Sequence, residues 1–137
     1  MKKLGLDLGN RTLGIAISDE LNFLARGLET FRFTEKDFDS ALQCTLDLIM
    51  EYNVDCIVLG HPKNMDGSSG EQAKISEDFK TKLSAKSNVK VILWDERLTS
   101  KMASNMMISQ NLKSKKRKKD IDKMAATIIL QGYLDSL

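Results

Sequence analysis

Apolar and polar positions first alternate with a period of two. In Leu4-Gly5-Leu6-Asp7-Leu8 the leucines fall on one face and Gly5 and Asp7 on the other, which predicts a strand carrying an acid on its second face. After Gly9-Asn10-Arg11 the alternation resumes over Leu13 to Ser18, with Gly14, Ala16 and Ser18 opposite the branched residues. The two runs predict a hairpin. Ala25 to Phe33 extends it to an antiparallel meander, although Gly27 and the charged side chains weaken the pattern there.

From Thr34 the spacing becomes helical. Phe38, Ala41, Leu42, Thr45, Leu46 and Ile49 follow an i, i+3, i+4 pattern, and Thr34 with Asp37 resembles a capping box, so a helix is expected to about Asn53. Val54 to Leu59 is a nearly continuous apolar run, as expected of a central parallel strand covered on both faces. Gly60 to Gly70 is rich in turn formers. Ser68 and Glu71 offer a second capping box before a helix with the stripe Ile75, Phe79, Leu83. Val89 to Leu93 returns to strand. Thr99 caps a short helix carrying Met102, Ala103 and Met106, a basic linker follows, and Asp120 opens a last helix through Met124, Ala125, Ile128 and Ile129. The order is βββαβαβαα. Three meandering strands followed by right-handed crossovers predict an α/β fold: a mixed sheet, three strands antiparallel and the later ones parallel, with helices on its faces. The 137 residues suit a single domain over 1–137 without an internal repeat.

An apolar fraction of 42% supplies a core, which excludes disorder for the bulk of the chain. Two cysteines are too few for a disulfide scaffold. Cys44 and Cys56 fall in apolar patterns, so each is expected to be a small buried hydrophobe in a reducing, cytoplasmic setting. MKKLGLDLG starts like a signal peptide, but Asp7 and the glycines interrupt it, and no span of ~18 apolar residues suits a membrane. The net charge of +2 hides its distribution. Residues 113–123 hold seven basic and two acidic residues, a local +5 that leaves the remainder at −3. Lys115, Lys116, Arg117 and Lys118 therefore suggest phosphate contact, with a solvated linker as the alternative.

Sites in open α/β sheets form beyond the carboxyl ends of parallel strands. Asp7, the Gly60–Gly70 loop and Asp95-Glu96-Arg97 all lie at such ends. If their strands are neighbours, Asp7 and Glu96 come close. Asp122, on the first turn of the last helix in this reading, shares a face with Ala125, Ala126, Ile129 and Tyr133. The small residues Gly5, Gly9, Gly14 and Ala16 would let that helix approach Asp7. Crowded carboxylates repel unless cations neutralise them. Hard oxygen donors without nearby His or Cys suit Mg²⁺ or Mn²⁺, and two such ions about 4 Å apart activate water and stabilise the leaving oxygen in phosphodiester cleavage.

Four blocks carry a resemblance. Asp7-Leu8-Gly9-Asn10-Arg11-Thr12-Leu13-Gly14-Ile15-Ala16, Gly60-x-Pro62-x-Asn64-Met65-Asp66-Gly67, Asp95-Glu96-Arg97-Leu98-Thr99 and Asp122 to Gln131 resemble, in order and spacing, the YqgF-type family. These are Holliday-junction-resolvase-like proteins of the ribonuclease H-like superfamily, regarded as nucleases that mature the precursor of small-subunit (16S) ribosomal RNA. The resemblance implies a ribonuclease H-like fold and a metal site made by Asp7, Glu96 and Asp122. Nucleic-acid contacts are expected from Arg11, Lys63, Asn64, Arg97 and the basic run. His61 and Lys63 depart from the family's usual apolar residues. The substrate expected is RNA, with branched DNA as the alternative. A monomer suffices to trim RNA, whereas a four-way junction needs paired sites in a homodimer.

Other readings compete. Asp7 to Gly14 suits a plain hairpin, Glu96 a pairing with Arg97 or a neighbouring helix, and Asp122 a favourable acid at a helix N-terminus. The lone His61 is given no catalytic role. Trp94 suits packing better than base stacking. Asp-x-Gly before a hairpin also resembles the phosphate-binding turn of actin-like and sugar-kinase ATPases, but those clamp nucleotide between two lobes. A nucleic-acid-binding module without catalysis is the remaining alternative.

Overall fold

The computed structural model describes residues 1–62, 70–95 and 114–137, with side chains in the last segment from Ile121 onward. Strands β1 (Lys2–Leu8), β2 (Thr12–Ser18), β3 (Ala25–Arg32), β4 (Val54–His61) and β5 (Lys90–Asp95) form one sheet in the order β3-β2-β1-β4-β5. The first three pair antiparallel, and β4 and β5 run parallel to β1, as expected from the sequence. Helices α1 (Phe38–Tyr52), α2 (Glu71–Lys86) and α3 (Ser114–Asp135) complete the described elements. Among the described residues no helix is long and apolar enough to cross a membrane.

The pleat divides the core in two. Leu4, Leu6, Leu8, Leu13, Ile15, Ile17, Ile57 and Leu59 pack with Ala41, Leu42 and Leu48 of α1 and Phe79 and Leu83 of α2. On the opposite face Ala16 and Val58 meet Ala126, Ile129, Leu130 and Leu134 of α3. Each large side chain buried in this way contributes about 1.5–3 kcal/mol. The α3 face can be covered closely because the strands are small there. A Cβ on Gly5 would lie 2.7 Å from both the Ala126 carbonyl oxygen and Leu130 Cβ. Gly9, by contrast, faces Thr12 rather than the helix.

Several boundaries differ from the sequence reading. α1 is capped by Asp37, not Thr34: its carboxylate accepts from the Ser40 hydroxyl at 2.7 Å and the Ser40 backbone N–H at 3.4 Å. Asn53 closes the helix in the left-handed region, φ 55°, a conformation asparagine tolerates. Gly70 takes the N-cap position of α2 without a side-chain cap, and Ser68 lies outside the described residues. β4 runs on through His61, and β5 runs from Lys90 to Asp95, so His61, Trp94 and Asp95 are strand residues. β3 ends at Arg32, and its register shifts around Leu28 where Glu29 pairs with Ile15 and Gly27 with Ala16. That bulge accommodates the glycine that weakened the pattern.

The largest correction concerns α3. It starts at Ser114, not Asp120, because Lys and Arg are good helix formers and nothing in the run breaks a helix. Lys115, Lys116, Arg117 and Lys118 thus belong to the opening turns of a helix, not to a linker. Asp122 is no longer in the first turn, so a favourable charge at the helix end does not explain it. The helix expected after Thr99 lies outside the described residues.

Candidate active site

Asp7 is the penultimate residue of β1 and shares the α3-facing side with Gly5. Its antiparallel partner is Gly14. A Cβ on Gly14 would fall 3.1 Å from Asp122 Cβ and far closer to that residue's carbonyl group. The absent side chain therefore lets α3 lie directly on β2 beside Asp7. Asp122 is held from a second direction. Thr12, two residues before Gly14 on the same face, donates its hydroxyl to Asp122 Oδ2 at 2.7 Å. One residue along the helix, the stem of Lys123 lies over Gly27 of β3, with Cγ 2.7 Å from where a Cβ would stand.

Parallel register aligns the strand ends. Leu6 pairs with Leu59, Gly60 with Trp94 and His61 with Asp95, so Asp7 is level with Gly60 and Trp94. β1 and β5 are not neighbours, contrary to the condition set on the sequence, because β4 lies between them. Two strand spacings separate their axes by about 10 Å, a gap bridged on this level by Gly60, which has no side chain. Glu96 follows Asp95 directly in the chain but lies outside the described residues, as do Lys63, Asn64 and Arg97.

Asp7 and Asp122 supply hard carboxylate oxygens, the donor chemistry that suits Mg²⁺ or Mn²⁺. Among the described residues no three His, Cys, Asp or Glu side chains gather into a group that could hold a metal. Arg11, in the turn after β1, is well exposed and reaches Glu35 at 3.4 Å, a contact that costs little to exchange for a phosphate. Lys115 to Lys118 are placed by their backbone in α3.

His61 is buried and meets Glu77 of α2, Nε2 to Oε2, at 2.8 Å. This contact ties the end of β4 to the helix. Trp94 packs edge-to-face on Tyr133, with centroids 6.0 Å apart. Its ring also covers Gly132, so packing accounts for it. Burial raises the Cys56 thiol, and burial together with the neighbouring Cys56 raises the Tyr133 hydroxyl. Cys44 is only half-buried. Burial, then Glu29 and Asp47, pushes its thiol up to about 11. Neither cysteine has the lowered pKa of a nucleophile. The sequence reading missed Thr12 as a partner of Asp122 and Gly27 as a seat for Lys123. The signal for Thr12 was its position two residues from Gly14, on the face already assigned to the helix.

The strand order and the helices on both faces define an α/β protein of the ribonuclease H-like fold class. The fowlpox virus Holliday junction resolvase superposes with a TM-score of 0.61 at 21% identity, covering 100% of both chains. Thermus thermophilus RuvC, solved with a Holliday junction substrate, gives 0.57 at 15% identity over 94% of this chain and 91% of that one. At these identities the likeness is one of fold. Sequence similarity goes further: residues 1–136 match the family described as "RuvX: Holliday junction resolvase", and the chain belongs to that family. A relative from Bacillus subtilis (strain 168), named "Putative pre-16S rRNA nuclease", is 51% identical over 137 residues, 100% of this chain and 99% of its own.

Proposed function

We propose that this chain is a divalent-metal-dependent nuclease that hydrolyses phosphodiester bonds in the precursor of 16S ribosomal RNA. The observation that carries the reading is the seating of Asp122 on Gly14, the strand partner of Asp7. Two acids 115 positions apart in sequence are thereby directed to one end of the sheet. Membership of the RuvX family and the name borne by the Bacillus subtilis relative support the substrate.

In this reading Asp7, Glu96 and Asp122 hold Mg²⁺ or Mn²⁺, two ions in all. Bound there, the metal supplies a nucleophilic water and charge stabilisation for the leaving oxygen. The protein's own contribution is rigidity and placement. Asp7 comes from a strand buried on its other face, and Asp122 from the middle of a helix pressed on glycine. Lys115, Lys116, Arg117 and Lys118 bind backbone phosphates without reading sequence. Arg11, Lys63, Asn64 and Arg97 contact the strand near the scissile bond. The protein works in the cytoplasm, and a monomer suffices.

A four-way DNA junction is the second reading, favoured by the resolvase fold. It requires a homodimer with paired sites. Cleavage of a 16S precursor and of a junction, compared with Mg²⁺ or Mn²⁺ and with chelator, separates the readings. Metal-dependent cutting of the precursor alone is expected. Metal-independent binding without cleavage of either would leave only a binding module.

A further inference from the structure

We propose that Thr12 is a positioning residue that fixes the carboxylate of Asp122 for metal binding; this rests on the reading of Asp122 as a metal ligand. A carboxylate only accepts hydrogen bonds, so at 2.7 Å the Thr12 hydroxyl is the donor and Asp122 Oδ2 the acceptor. Such charge-assisted bonds are strong and directional. Thr12 is itself stiff, because a β-branched side chain has few χ1 choices. Its backbone is fixed as well: it pairs with Arg32 of β3, and its carbonyl accepts from Gly9 N–H at 2.8 Å, closing the turn after β1. The hydroxyl is thus anchored to the strand end that carries Asp7.

Gly14 and Thr12 divide the placement of Asp122 between them. Gly14 sets how near the helix backbone lies to the sheet. Thr12 sets which way the carboxylate turns. Without the hydroxyl, the half-buried Asp122 side chain would sample other rotamers, and ordering it would oppose metal binding. The alternative role is purely structural, with the bond helping α3 dock. The helix already buries Ala126, Ile129, Leu130 and Leu134 on the sheet, so docking does not depend on the single part-buried hydroxyl of Thr12.

The test is Mn²⁺ binding to the purified full chain, followed by electron paramagnetic resonance of the free ion, with metal-free thermal unfolding measured alongside. Thr12→Val keeps the shape and removes the donor, Thr12→Ser keeps the donor, and Thr12→Ala is a second removal that adds no bulk. Loss of a residue supporting a ligand typically weakens binding about 10–100-fold. Val and Ala are expected to weaken Mn²⁺ at least about tenfold and Ser less than about threefold. In an Asp122→Asn background, Thr12→Val should add no further loss, since the two act as a unit. A Thr12→Val protein that unfolds at a lower temperature but binds Mn²⁺ as the parent does would overturn the positioning role while leaving the metal site standing. Unchanged Mn²⁺ binding by Asp122→Asn alone would instead remove Asp122 as a ligand, and the inference with it.

Discussion

A Cβ on Gly14 would lie 2.1 Å from the carbonyl oxygen of Asp122 and 2.4 Å from its carbonyl carbon. These are backbone atoms in the interior of a helix, and they cannot rotate aside as a side chain can. The contact therefore couples two properties, the stability of the α3 docking and the geometry of the candidate site.

Gly14→Ala is accordingly expected to destabilise the protein by about 1–3 kcal/mol, the usual cost of overpacking, and to lower cleavage as well. Gly27→Ala makes the control. The atoms nearest its new methyl belong to the flexible stem of Lys123, so its cost should stay below about 1 kcal/mol. Urea denaturation of both variants checks the contrast, and equal losses would contradict it.

Replacing Lys115, Lys116, Arg117 and Lys118 together by alanine should keep α3 helical, since alanine is the best helix former. Binding to RNA should weaken, and the salt dependence should flatten by up to about 3 in log–log slope if four single-strand phosphates lose their partners. Affinity measured over a salt series, with circular dichroism for helicity, is the check. An unchanged slope would mean that these side chains touch no phosphate.

The raised Cys44 thiol gives a pH prediction. In the unfolded chain it loses its proton near 9.0, whereas in the fold it keeps it to about 11. Between those values the unfolded state binds fewer protons, so stability falls as pH rises from about 9 towards 11. Below 9 its contribution is fully present. Cys44→Ala should flatten this part of the stability–pH curve measured by chemical denaturation. A curve of unchanged steepness would contradict the shift.

Much of this was legible in the sequence because alternation is a local property. Leu4, Leu6 and Leu8 against Gly5 and Asp7 predicted both the first strand and its sparsely filled second face, and Gly5 and Gly14 do lie against the last helix. What was not legible depended on context. A lysine-rich run reads as a linker by charge and as a helix by propensity, and in α3 propensity prevailed. The neighbours of β1 are not encoded near β1, so the insertion of β4 between it and β5 could not be read from either strand end. Thr12 resembled an ordinary strand residue because its partner is 110 residues away.

Asp7 and Asp122 should behave as one unit. Changing both to asparagine is expected to cost little more activity than changing either, as for residues that serve a single step. Asp122→Asn should also fold normally, since the amide oxygen can still accept from Thr12 while the charge is lost. Single-turnover rates for the two single variants and the double variant check the non-additivity. Losses that multiply would assign the acids to separate roles.

The central claim is that Asp7 belongs to a metal-holding site for phosphodiester hydrolysis, and cleavage of a 16S precursor by purified Asp7→Asn under matched Mg²⁺ tests it most directly. An asparagine preserves the volume and removes the anionic oxygen that balances a divalent cation. The account predicts cleavage reduced to background with binding through the basic turns of α3 retained. Normal cleavage by Asp7→Asn would contradict the proposed mechanism.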